Sequence, residues 1–104
     1  MTEPSPPPPA VHRARVPDAV VLQVAETGRA TLLACFRRAQ RADPTLGATK
    51  IKLDLEIDAD GSVTAARTDV DEPHFNACLI RVARALHFPA PLVPASATLA
   101  FFAS

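Results

Sequence analysis

The chain has 104 residues, and eleven Lys and Arg balance eleven Asp and Glu, so its formal charge is zero. One domain is the most this length supports, and without a basic stripe, or any Trp or Tyr for base stacking, nothing points to nucleic acid as a partner. No apolar run reaches the roughly 18 residues that would cross a bilayer, and no charged stretch followed by an apolar one marks a signal peptide.

Residues 1–17 carry Pro at positions 4, 6, 7, 8, 9 and 17. Proline fixes φ and lacks an N–H, so this stretch predicts a polyproline-type spacer rather than helix or inner strand. A PxxP ligand for an SH3-like module is the functional alternative. The spacer also suggests a piece of a longer chain whose export or anchoring signal lies upstream. The folded domain is then expected over 18–104.

Asp18, after Pro17, is placed to cap a helix running to about Ala42. Gly28 inside it predicts a bend, or a later start near Thr27. Leu32, Cys35, Phe36 and Ala39 form its apolar stripe at i, i+3, i+4 and i+7. Asp43 before Pro44 ends it.

In the run 50–63, Ile51, Leu53, Leu55 and Ile57 alternate with Lys52, Asp54, Glu56 and Asp58. Period two predicts a strand with one dry and one wet face, which favours an antiparallel sheet. Asp60 and Gly61 form a hairpin turn signal. The returning strand, from Val63 to about Val70, slips phase among Val63, Ala65 and Ala66, which predicts a bulge or a short edge-like strand.

Asp71, Glu72 and Pro73 open a second helix. Its stripe is Phe75, Cys78, Leu79 and Val82, with Leu86 a turn further on, and Phe88 before Pro89 ends it. A last apolar strand covers 97–103. The expected fold is α+β in the order α-β-β-α-β: a three-stranded antiparallel sheet with two helices on one face.

Both stripes carry a cysteine, Cys35 and Cys78. Neighbouring helices would allow a bridge closing about 43 residues, worth roughly 4 kcal/mol in the chain-entropy model. Two buried free thiols fit the spacing equally well. Glu56, Asp58, Asp60 and Gly61 imitate the start of a calcium-binding EF-hand loop, but the twelfth position is Arg67 rather than Glu. His12, His74 and His87 lack ligand spacing. His74 and Cys78, at i and i+4, offer a thiol and a base, but the stripe turns Cys78 inward. The reading is of no catalytic constellation, no metal site and no cofactor.

Leu32, Cys35, Phe36 and Ala39, then Asp43, Pro44, Leu46 and Gly47, precede a strand ending in the residues 57–63. Phe75, Asn76, Ala77, Cys78 and Leu79 follow, then Phe88, Pro89, Ala90 and Pro91. In this order the residues resemble the TonB C-terminal domain family, in its AgmX/PglI C-terminal (myxobacterial-type) branch, over about 19–102. The resemblance implies a non-enzymatic periplasmic domain of an energy or force transducer, used in transport or motility. Such a domain is tied through a proline-rich spacer and an upstream inner-membrane segment to a motor. It implies a structural disulfide between Cys35 and Cys78. It also implies recognition of an outer-envelope protein by β-augmentation along Ser96, Ala97, Thr98, Leu99, Ala100, Phe101 and Phe102. A second copy of the chain is a further expected partner for that edge, in the periplasm or, for a scaffold domain with free thiols, in the cytosol.

Overall fold

The structure is a computed structural model that describes residues 14–104. The spacer expectation for 1–13 lies outside the described residues. The elements are β1 (Ala14–Arg15), α1 (Asp18–Ala42), β2 (Thr49–Ile57), β3 (Val63–Thr68), α2 (Pro73–Arg84) and β4 (Ala95–Ala103). The α+β class holds, but the sheet has four strands in the order β1-β4-β2-β3 and is mixed, not three-stranded and antiparallel. The difference is β1: within the stretch read as spacer, Ala14 and Arg15 pair in parallel with Ala95 and Ser96. Val16 extends this contact, donating its N–H to the Ser96 carbonyl at 3.0 Å. Two residues before a proline carry no periodic signal; only the approach to β4 makes them a strand.

β2 is the central strand, antiparallel to β3 on one side and to β4 on the other. Its alternation survives intact. Ile51, Leu53, Leu55 and Ile57 are buried beneath the helices, while Lys50, Lys52, Asp54 and Glu56 stay in water. The expected bulge is present: Glu56 pairs with Ala65 but Ile57 with Val63, leaving Thr64 as the extra residue. Its hydroxyl donates to the Glu56 carbonyl at 3.2 Å.

The hairpin turn is built from its acids. The Asp60 carboxylate accepts from the Ser62 N–H at 2.9 Å and the Ser62 hydroxyl at 2.6 Å, and Asp58 accepts from the Ala59 N–H. These bonds, the Ser62 hydroxyl first, hold the Asp60 carboxyl below its ordinary range. Asp58 and Asp60, two of the carboxylates that resembled calcium ligands, thus shape a turn, while Glu56 lies on the wet face of β2. The loop after α2 lies against it, with the Phe88 N–H donating to Gly61 and the Leu92 N–H to Ala59.

α1 is continuous through Gly28, so the late start near Thr27 does not occur. Gly28 is buried because α1 meets Leu86 there; a β-carbon would stand 2.6 Å from Leu86 Cδ2. Pro17, not Asp18, occupies the N-cap, and Asp18 sits in the first turn. By length and composition α1 could cross a membrane. Its face of Val21, Val24, Leu32, Cys35 and Phe36 is packed into the domain core, as expected of a core helix.

α2 starts as its residues dictate. Pro73 stands in the first turn, where no N–H is needed, and the Glu72 carboxylate accepts from the Phe75 N–H. α1 lies over β4 and α2 over β3, side by side on the dry face. Phe36 and Phe75 meet between them with ring centroids 6.2 Å apart. Cys35 and Cys78 are joined by a disulfide with a Cα–Cα distance of 5.8 Å.

Candidate functional site: the open edge of β4

The candidate site follows from which way the β4 backbone points. In a strand, the N–H and C=O of one residue face one side and those of the next face the other. The Ser96 carbonyl is taken by Val16 on the β1 side. Thr98, Ala100 and Phe102 therefore aim their backbone groups the same way, and Ala97, Leu99, Phe101 and Ala103 bond to β2. The neighbouring strand agrees, since Lys52 pairs with Ala100 yet sends its N–H away, to the Asp69 carboxylate at 3.1 Å. Among the described residues, only Ala14, Arg15 and Val16 pair along this rim, and they stop at Ser96.

Of the seven positions expected to form the docking edge, Ser96 is thus already engaged by the protein's own backbone. Ala97, Leu99 and Phe101 turn their backbone to β2. What remains is a window of Thr98, Ala100 and Phe102, whose side chains stand exposed on the wet face. Phe102 is 61% exposed. The Thr98 hydroxyl donates to Asp54 at 2.9 Å, which ties the middle of β4 to β2.

On the other face, α1 overhangs this rim without closing it. Leu22, Ala25, Glu26 and Arg29 form a flank of the helix at i, i+3, i+4 and i+7. With Leu99 and Phe101 they line a groove of about 280 Å³. Leu22 is 69% exposed. The sequence reading missed this flank because it followed the stripe that meets the sheet. The signal was present in the second, narrower row beside that stripe.

The opposite rim, β3, is poorer docking material. It is shorter, carries the Thr64 bulge, and is preceded by a bridge between Ser62 and His87.

The cysteines hold the helices together rather than present a reactive sulfur. Cys35 is 2% and Cys78 8% exposed, at the base of an apolar recess of about 300 Å³ shared with Ala39, Leu46 and Phe75. His74 is solvent-exposed and hydrogen-bonds to Glu72, 3.1 Å away, so the two helix neighbours His74 and Cys78 are not brought together as base and thiol. The Phe75 N–H, and secondarily His74, hold the Glu72 carboxyl below its ordinary range. Comparison of the chain with protein-family models, curated proteins and solved structures finds no match.

Proposed function

We propose that this chain is a non-enzymatic binding domain that captures an extended segment of a partner protein as an added strand on β4. The observation carrying the reading is the window of Thr98, Ala100 and Phe102, where outward backbone groups lie beside an apolar groove. Strand addition draws affinity from main-chain hydrogen bonds and register from alternate side chains. Here one set of guest side chains would enter the groove under Leu22, and the other would lie beside Phe102. Ala100 leaves room for a close backbone approach.

The resemblance to the TonB C-terminal family supports a place for the domain at the periplasmic end of an inner-membrane-anchored transducer, joined to its motor through an upstream segment and gripping an outer-envelope protein. The disulfide favours an oxidising compartment, which sets the periplasmic reading above a cytosolic scaffold with free thiols.

The test is to pan a displayed library of extended peptides against the domain and repeat the binding with Ala100→Pro. Selected peptides should lose binding to the variant and should slow amide exchange at Thr98, Ala100 and Phe102. Peptides that bind both forms equally would place the docking site elsewhere.

A further inference from the structure

The formal charge of zero conceals a segregation. α1 and α2 carry six arginines and only two carboxylates, Asp18 and Glu26. The other eight carboxylates of the described residues lie on strands, turns, loops and helix caps. All six arginines are exposed, and among the described residues none of them is in an ion pair. Attraction to the helix macrodipole accounts for Arg41, Arg81 and Arg84, which stand in last turns. It does not account for Arg37 and Arg38.

Two of these arginines bracket the disulfide. Gly28 faces Leu86 while Cys35 joins Cys78, so the two helices run antiparallel. Arg38 and Arg81 each follow their own cysteine by three residues, and so stand on opposite sides of it along the groove. A rise of about 1.5 Å per residue sets them about 9 Å apart along the helix axes. Ala34 and Ala77, exposed beside the cysteines, leave the outer side of the bridge low. Next to Arg38 opens the apolar recess, walled by Ala39, Ala42, Leu46 and Phe75, whose 300 Å³ has room for one large side chain. Of the carboxylates on its rim, Asp43 is held by Thr45, and Glu72 by the Phe75 N–H and His74. Arg38 is left as the rim's unpaired charge.

We propose that the outer face of the α1–α2 groove binds an acidic segment of a partner protein. One bulky apolar side chain of that segment fills the recess. A carboxylate beside it pairs with Arg38, and a second, about three residues further along an extended chain, reaches Arg81. Arg37 and Arg41 add to the field that draws the segment in. A bilayer suits this face less well, because its large exposed apolar side chains would have to enter the lipid. Those side chains are Leu22, Leu92, Val93 and Phe102, which lie at the β4 rim and in the loop after α2. The groove is on the opposite flank of α1 from the β4 window, so this site neither needs nor blocks the docking edge.

The probe is a short fluorescein-labelled peptide with one Phe flanked on both sides by Asp and Glu, titrated with the full chain and followed by anisotropy. Saturable binding is expected, weaker at high salt. Arg38→Glu and Arg81→Glu should each raise the dissociation constant by about tenfold or more through like-charge juxtaposition. Ala42→Phe, which fills the recess, should do the same, as should replacing the peptide's Phe by Ser. Arg67→Glu makes the same charge change on β3, away from the groove, and should alter the constant by no more than about twofold. Circular dichroism confirms the fold of each variant, and the exposed arginine reversals keep the test decisive if Ala42→Phe does not fold. Absence of saturable binding overturns the proposal. So does equal binding of the Phe and Ser peptides, or a loss in Arg67→Glu as large as in Arg38→Glu. Capture of phosphatidylglycerol vesicles, lost in Arg38→Glu and unaccompanied by peptide binding, also overturns it and assigns the face to a membrane.

Discussion

Gly61 is pressed against Phe88. The Phe88 N–H donates to the Gly61 carbonyl at 2.9 Å, and a β-carbon on Gly61 would stand 2.0 Å from the Phe88 carbonyl oxygen. Gly61 also has φ of 94°, which side-chain-bearing residues rarely adopt. Two independent constraints therefore meet at one residue, and the obstructing atom is backbone that cannot rotate aside. Gly61→Ala should cost about 2 kcal/mol or more, read as a lowered urea midpoint.

The disulfide joins the two helices that cover the sheet. Replacing both cysteines by Ala should lower unfolding free energy by up to about 4 kcal/mol, the closure entropy of the loop between them. Urea unfolding of the double variant, and of the wild-type chain under strong reductant, should show the same loss. An unchanged midpoint in both would mean that helix packing alone carries the junction.

Proline along β4 should distinguish backbone direction. Thr98→Pro and Ala100→Pro remove an N–H that faces the open rim, so each should cost no more than about 1 kcal/mol while abolishing peptide capture. Leu99→Pro removes an N–H bonded to β2 and a buried side chain, and should cost about 3 kcal/mol or more. Thermal melts of the three variants check the alternation. Equal damage at all three would refute the assigned direction.

Glu72 makes stability depend on acid. Its carboxyl is held below the ordinary range, first by the Phe75 N–H, so the folded state releases this proton more readily than the unfolded one. The contribution is present at neutral pH, above the unfolded carboxyl's range, and fades as pH falls through the lower folded value. Glu72→Gln should lower Tm at neutral pH and flatten that part of the acid limb. A limb of unchanged slope would assign the acid sensitivity to other carboxylates, Asp60 among them.

Much of the architecture could be read directly from residue patterns. The alternation from Ile51 to Ile57, the turn at Asp60 and Gly61, and the stripes holding Cys35 and Cys78 are local periodicities, and a local pattern forces a local structure. The candidate site was legible as a strand, but its usable part was not. Which backbone groups of β4 face outward depends on pairing with β2, and Ser96 is withdrawn by Val16, a residue 80 positions away. Gly28 was misread for the same reason: nothing near it in the chain announces that Leu86 will lie against it.

By itself, the sequence determined the order of the two helices and the three longer strands, the dry face of the sheet and the residues that shape its turn. Hydrophobic period and backbone stereochemistry act over a few residues and leave few alternatives. The tertiary structure alone decided that a two-residue strand borders β4, that the open rim narrows to Thr98, Ala100 and Phe102, and that Glu26 and Arg29 overhang it. Those are relations between segments far apart in the chain, and only the packing of α1 across the sheet brings them into register.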